Sequence, residues 1–265
     1  MRLVVIILAV VIVSSLLAGC GGQDMRSTPR PQPQPITLPS GLIYQDYQYG
    51  TGLDLDRGQV IAIKYSTYLD SGLDSGQEPV ESSNDYVFPA GIGKVIAGWD
   101  QGISTMNVGG QRKLIIPPQL AYGDAGRPPD IPPNATLTTY VELLRILPMQ
   151  VTDKNVQYYD LVEGYGNMPI IGETLVVNYT GWLQSDGTKF DSSLNPGRTP
   201  YEFQLGLGTV IKGWDDGLTN IRVGGKRLLI IPPSMAYGEE GTGSIPPNAT
   251  LIFEVDLLEI KPGSP

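Results

Sequence analysis

The sequence predicts an α+β chain of two like domains, each an antiparallel sheet against one short helix. Three observations carry this. First, the chain repeats itself. WDQG, VGGQRKLIIPPQLAYGDAG and IPPNATL, starting at Trp99, return as WDDG, VGGKRLLIIPPSMAYGEEG and IPPNATL from Trp214. GLIYQDYQYGTG (Gly41 to Gly52) is echoed by NVQYYDLVEGYG (Asn155 to Gly166), and the offset is 114 or 115 residues throughout. That period is too long for a solenoid, whose unit is roughly 20–50 residues, and is the size of a small domain. Second, each copy offers several strand patterns and one helical one. Third, 33 Gly and 23 Pro suit many turns and little long helix. The domains are expected at 41–148 and 154–265, joined by a short junction near Pro148 to Asp153.

The elements of the second copy follow in order. Thr174 to Leu183 (TLVVNYTGWL) is rich in β-branched and aromatic residues, as strands are. Tyr201-Glu202-Phe203 alternates in the same way. Thr209 to Leu218 reads as the helix, with Val210, Trp214 and Leu218 at i, i+4 and i+8 forming one apolar face. Gly224-Gly225 turns the chain into Arg227 to Ile231 (RLLII), a buried strand stopped hard by Pro232-Pro233. Leu251 to Ile260 is the last strand.

Composition excludes several chemistries. The net charge of −9 argues against a nucleic-acid surface, and acidity here serves solubility. There is no histidine and one cysteine, Cys20. An intrachain disulfide, Cys/His metal sites and Ser-His-Asp or Cys-His hydrolases are therefore out, and neither metal nor cofactor is expected. Asp215-Asp216 and Glu239-Glu240 read as solvated turns and helix faces.

Arg2 precedes an apolar run from Leu3 to Val13 that continues through Leu16 and Leu17. This has the n-region and h-region of a secretory signal, and is short for a membrane span of about 20 apolar residues. It ends in Leu17-Ala18-Gly19-Cys20, so 1–20 resembles a bacterial lipoprotein signal with Cys20 as the lipidated residue. An ordinary export signal with an incidental cysteine is the alternative. Residues 21–40, rich in Pro and Gln, are expected to be a disordered spacer. Together these predict an exported protein anchored to a membrane through lipid, facing the periplasm or the cell exterior.

The second copy resembles the FK506-binding-protein (FKBP) family of peptidyl-prolyl cis-trans isomerases. The residues that carry the resemblance are Tyr179-Thr180-Gly181, Gly187 to Ser193 (GTKFDSS), Val210 to Asp215 (VIKGWD), Ala236-Tyr237-Gly238 and Ile245 to Leu251 (IPPNATL). The resemblance implies an antiparallel sheet wrapped around a short helix, with a ligand pocket between them. It implies catalysis of X–Pro rotation in proline-containing polypeptides, and binding of FK506-type inhibitors. That reaction needs no histidine. The barrier of about 18–20 kcal/mol comes from amide resonance, and a dry pocket that prefers the twisted imide lowers it by differential binding. By resemblance, Trp214 is the pocket floor. Tyr179, Phe203, Val210, Ile211 and Phe253 are walls, Tyr201 is the edge and Ile245 closes one side. The Ile211 N–H and the Tyr237 hydroxyl would hold substrate carbonyls, and Asp191 and Phe190 would face the rotating carbonyl. The loop from Asp191 to Tyr201 is slightly long for the family, which leaves Arg198 without an assigned role.

Aligning the copies sets Tyr65 on Tyr179, Tyr86 on Tyr201, Phe88 on Phe203, Val95-Ile96 on Val210-Ile211, Trp99 on Trp214, Tyr122 on Tyr237 and Ile131 on Ile245. Three wall positions change: Val80 stands for Phe190, Glu81 for Asp191 and Thr139 for Phe253. Tyr140 cannot stand in for the lost aromatic, because neighbours on a strand face opposite ways. The second domain is therefore expected to be the isomerase. The first is expected to be weak or inactive, a spacer or client-binding surface; an active pocket with another side-chain preference is the alternative. At the level of the whole chain, the competing reading is a tethered chaperone or proline-segment scaffold with little catalysis.

Overall fold

The computed structural model describes residues 33–69 and 76–262. The expected signal, Cys20 and most of the spacer lie outside the described residues. The first domain is a six-stranded antiparallel sheet: β1 (Ile36–Thr37), β2 (Ile43–Gln48), β3 (Val60–Leu69), β4 (Glu81–Pro89), β5 (Gln111–Ile116) and β6 (Leu137–Ile146), in the order β1-β2-β5-β6-β3-β4. Its helix α1 (Ala97–Ile103) crosses one face. The second domain repeats the plan with β7 (Gln150–Val151), β8 (Gln157–Val162), β9 (Thr174–Leu183), β10 (Lys189–Ser192), β11 (Tyr201–Gln204), α2 (Lys212–Gly217), β12 (Lys226–Ile231) and β13 (Leu251–Lys261). Its order is β10-β9-β13-β12-β8-β7, with β11 also on β9.

Two boundaries differ from the sequence reading. The spacer does not run to Ser40: Ile36 and Thr37 pair with Tyr44 and Ile43, and Leu38 donates to the Leu42 carbonyl at 2.8 Å. The matching strand β7 sits in the expected junction. Both are two-residue edge strands, where flanking prolines are tolerated, so proline content concealed them. The helix is also shorter than Thr209 to Leu218. Ile211 is its N-cap with extended backbone (φ −59°, ψ 145°), so Thr209 to Ile211 reach the pocket as loop rather than helix.

The helix lies on the sheet by way of glycine. A Cβ on Gly98 would stand 2.3 Å from Ile116 Cγ2, and one on Gly213 2.4 Å from Ile231 Cγ2. One turn on, Gly102 and Gly217 meet Leu114 and Leu229 in the same way. With no side chain on that face, the helix backbone drops onto the strands and the indole beside it sinks into the core. A buried arginine fixes the far end of each helix. Arg112 holds Asp46 through Nε at 2.7 Å and Nη2 at 3.1 Å, and donates to the Gly102 carbonyl at 2.6 Å. Arg227 does the same with Asp160 at 2.7 and 2.9 Å and Gly217 O at 2.8 Å. Each thereby satisfies a C-terminal carbonyl the helix leaves open, with its own charge paired two-pronged.

The domains pack on each other. Val60 and Ile92 of the first meet Trp182, Leu228, Ile230 and Ile252 on the outer face of the second sheet, all buried. Around them, Arg57 Nη1 donates to Ser185 O at 2.6 Å, Gln184 Nε2 to Arg57 O at 3.2 Å, and Lys94 pairs with Glu254 at 2.8 Å. Full burial of such side chains is worth about 1.5–3 kcal/mol each, and an apolar interface of this kind restrains relative domain motion.

Candidate active site and its counterpart in the first domain

Between α2 and its sheet lies a cavity of about 590 Å³. Strands β9, β10 and β13 bring Tyr179, Phe190, Asp191 and Phe253; the loop before α2 brings Thr209, Val210 and Ile211; the helix brings Trp214. Tyr201 and Tyr237 close the rim. The floor is aromatic on every side: Trp214 lies 5.2 Å from Tyr179, 5.4 Å from Phe203 and 5.3 Å from Phe253, centroid to centroid. Phe190 meets Phe253 edge to face at 5.5 Å. Such pairs favour this geometry and add to the packing of their area. Phe203 and Ile245, expected as walls, belong to the core behind the cavity.

The polar groups gather at one corner. Tyr179 donates its hydroxyl to Asp191 Oδ2 at 2.5 Å, and Arg198 Nη2 lies 3.1 Å from Oδ1. The Ser192 N–H also donates to Oδ1, at 2.9 Å. Arg198, left without a role by sequence, thus lines the site. Burial first, and then the hydrogen bond and charge of Asp191, push the Tyr179 phenol up to about 12. Burial and the Asp191 charge also raise Tyr237. Both stay protonated donors at neutral pH. The Ile211 N–H, at the N-cap, stands outside the helical ladder and is free to meet a carbonyl. The Trp214 indole N–H is buried with no hydrogen-bond partner among the described residues.

Asp215 is not the solvated acid its sequence context suggested. Its carboxylate accepts from the Gly206 N–H at 2.8 Å and the Gly208 N–H at 2.9 Å, pinning the loop that leads into the pocket. Asp100 holds Gly91 and Gly93 in the same way at 3.0 and 2.6 Å.

The first domain also keeps a cavity, of about 520 Å³, lined by Tyr65, Tyr86, Val95, Ile96, Trp99 and Tyr122, with Glu81 and Arg127. Phe88 and Ile131 are core residues behind it, and Val80 packs on that core. Thr139 faces inward as the register required: its hydroxyl sits 2.9 Å from that of Thr67 and accepts from Trp99 Nε1 at 3.3 Å. Tyr140 faces out, stacked 6.2 Å from Tyr47. Glu81 pairs with Arg127 at 2.8 Å, and the Arg127 guanidinium covers the Tyr122 ring at 5.1 Å. Burial, then Glu81, pushes Tyr65 up to about 12. The arginine is supplied from a different loop in each domain, Arg198 before β11 and Arg127 after Tyr122. Sequence comparison of the copies could not reveal this equivalence.

The site is an apolar space floored by an indole, with two phenols and a carboxylate at its edge. The chain belongs to the FKBP-type peptidyl-prolyl cis-trans isomerase family, whose profile matches residues 54–144 and again 166–258. It is similar to the FK506-binding protein of Neisseria meningitidis serogroup B, 55% identical over 102 residues that cover 38% of this chain and 92% of that one. It is also 39% identical over 194 residues to peptidyl-prolyl cis-trans isomerase FKBP9 of Homo sapiens, covering 73% of this chain. The chain spans about a third of the length of the FKBP9 relatives it matches, 33% in the human case. Among solved structures, FkpA from Escherichia coli shares 44% identity over 44% of this chain and 53% of that one, with a TM-score of 0.41.

Proposed function

We propose that this protein is a peptidyl-prolyl cis-trans isomerase acting on proline-containing polypeptides, with the second domain as its working site. The observation that carries the assignment to that domain is the state of the indole floor. Trp214 is walled by Phe190 and Phe253 and its N–H has no partner among the described residues, whereas the Trp99 N–H is engaged by Thr139. A proline ring on Trp214 leaves water. In that dry space the planar amide loses the solvent that favours its polar resonance form. The Tyr237 hydroxyl and Ile211 N–H hold the flanking carbonyls, and the Tyr179–Asp191–Arg198 cluster faces the carbonyl that swings. No proton moves and no bond breaks; binding that favours the twisted state over both planar ones supplies the rate. FK506-type inhibitors are expected in the same pocket.

The test uses the full chain. Phe253→Thr should remove most of the prolyl isomerase activity on a tetrapeptide substrate, and Thr139→Val should leave it. Equal losses would sink the assignment to one domain. Full client protection by an inactive Phe253→Thr protein would favour the scaffold reading. We further propose export and membrane anchoring through lipidated Cys20, which rests on the sequence pattern alone; a Cys20→Ser chain that still partitions with membranes and still takes up a fatty-acid label would overturn it.

A further inference from the structure

The lip that docks the first domain onto the second has a counterpart in the second domain, and there it is open. In the first domain the lip is made by Asp56-Arg57-Gly58 and Gly91-Ile92. Ile92 is 2% exposed, buried against the second sheet, and Arg57 bonds to Ser185 O. The repeat sets Ile170-Ile171-Gly172 and Gly206-Leu207 on those positions. The local build is the same. A Cβ on Gly91 would meet Arg57 Cγ at 2.7 Å, and one on Gly206 would meet Ile171 Cγ2 at 3.0 Å. The chain at Gly172 is tied to Leu205 O at 2.9 Å. Yet the surface chemistry is changed. The charged pair has become two isoleucines, and Ile170, Ile171 and Leu207 are 68, 72 and 55% exposed.

We infer that this second-domain lip binds an extended apolar stretch of the client polypeptide next to the proline being turned. Three facts select that occupant over another copy of the chain. The lip runs directly into the pocket: Leu207 is two residues from Thr209, which lines it, and Asp215 fixes the intervening backbone. A polypeptide with its proline over Trp214 therefore passes within reach of the lip. The lip also carries no charge to match a folded, polar surface. Finally, the sheet face that would receive it on another copy is not the apolar one the second domain offers. Where Leu228 and Ile252 stand, the first domain has Lys113 and Thr138, and Tyr140 replaces Glu254, the partner of Lys94. An exposed apolar rim beside a binding cleft is the feature expected of a site for unfolded chain.

The inference rests on the proposed isomerase function of the second pocket, and the test separates the two. The double variant Ile170→Asp/Ile171→Arg installs the residues the first domain already accommodates at this turn, and Leu207→Ser alters the facing loop alone. On a tetrapeptide both should keep kcat/KM. On proline-limited refolding of an unfolded protein, the double variant should lose about fivefold in kcat/KM, through KM, and Leu207→Ser about threefold, as expected for forfeiting part of the burial of one or two aliphatic side chains. Equal change on both substrates, or none on either, overturns the lip. If the wild-type chain turns over neither substrate, the isomerase reading fails. The lip is then read by direct binding to a permanently unfolded, proline-containing polypeptide labelled for anisotropy: a several-fold weaker Kd in the double variant sustains it, and an unchanged Kd overturns it. A wild-type chain that sediments as a dimer and a double variant that sediments as a monomer would assign the lip to a second copy and overturn the client.

Discussion

In the second domain two phenylalanines meet above an indole whose N–H is unclaimed among the described residues; in the first, a threonine stands at the same register and takes the indole N–H for itself. The floor, the rim phenols, the carboxylate corner with its arginine and the tether from the helix aspartate are present in both. A cavity of similar size therefore survives in each domain, and what differs is how dry and apolar its wall is. This separates two properties that are easily conflated. The shape of an FKBP pocket is set by the sheet and the glycine-seated helix. The apolar character of its wall is set by a few side chains on β10 and β13.

That separation can be broken or sharpened in four ways. The largest effect is on the shared frame. Arg112→Met strands the buried Asp46 and a helix carbonyl and should cost its domain about 3–5 kcal/mol in denaturant unfolding; Arg227→Met, whose Asp160 is half-buried, should cost less, about 2–3 kcal/mol. A loss in either variant of less than about 1 kcal/mol would show that the clamp does not carry that frame. Next, Phe253→Thr should lower kcat/KM on a tetrapeptide at least about tenfold, or about 1.4 kcal/mol of transition-state binding, against less than about twofold for Thr139→Val. Smaller again is the reciprocal graft. Val80→Phe, Glu81→Asp and Thr139→Phe, placed in a Phe253→Thr chain, should recover activity about threefold over that background, since each wall contact contributes on the order of 1 kcal/mol. No recovery would mean that the first domain differs in more than its wall.

The smallest effect concerns pH. With no histidine in the chain and both pocket tyrosines raised, kcat/KM should be flat from about pH 6 to 9. The sign for stability is fixed by direction. Tyr65 and Tyr179 are acids whose folded pKa, about 12, exceeds the ordinary value of 10.0. The stability they contribute is whole below pH 10 and is lost as pH climbs toward 12. Both domains should therefore loosen in the same alkaline window, followed by near-ultraviolet circular dichroism. Loss in one domain only would break the equivalence of their phenol–carboxylate corners.

Much of this was legible in the chain. The internal repeat carried the two domains, and β-branched runs with hard proline stops carried β9, β12 and β13 almost to the residue. The inward turn of Thr139 and the outward turn of Tyr140 followed from strand alternation alone. The edge strands β1 and β7 were hidden because a two-residue pairing leaves no period to detect. The helix was overextended because Val210 keeps helical spacing with Trp214 while serving the pocket from a loop. The arginine clamps left a signal that was not used: Asp46 and Asp160, and Arg112 and Arg227, recur at matching places in the two copies. The Arg127–Glu81 pair left none, since its partner comes from a loop with no arginine in the other copy. The docking of one domain on the other was likewise invisible, because the apolar outer face of the second sheet reads in sequence as ordinary core.

The arginine clamp and the glycine-seated helix bear on the history of the duplication. They hold the helix through contacts that do not involve Phe190, Phe253 or their replacements. Substitution at those wall positions alters the pocket wall while the helix keeps its clamp and its glycine seat. A gene copy of this design can change its pocket wall and keep its helix anchored, ready to be kept for the way it fits against its neighbour.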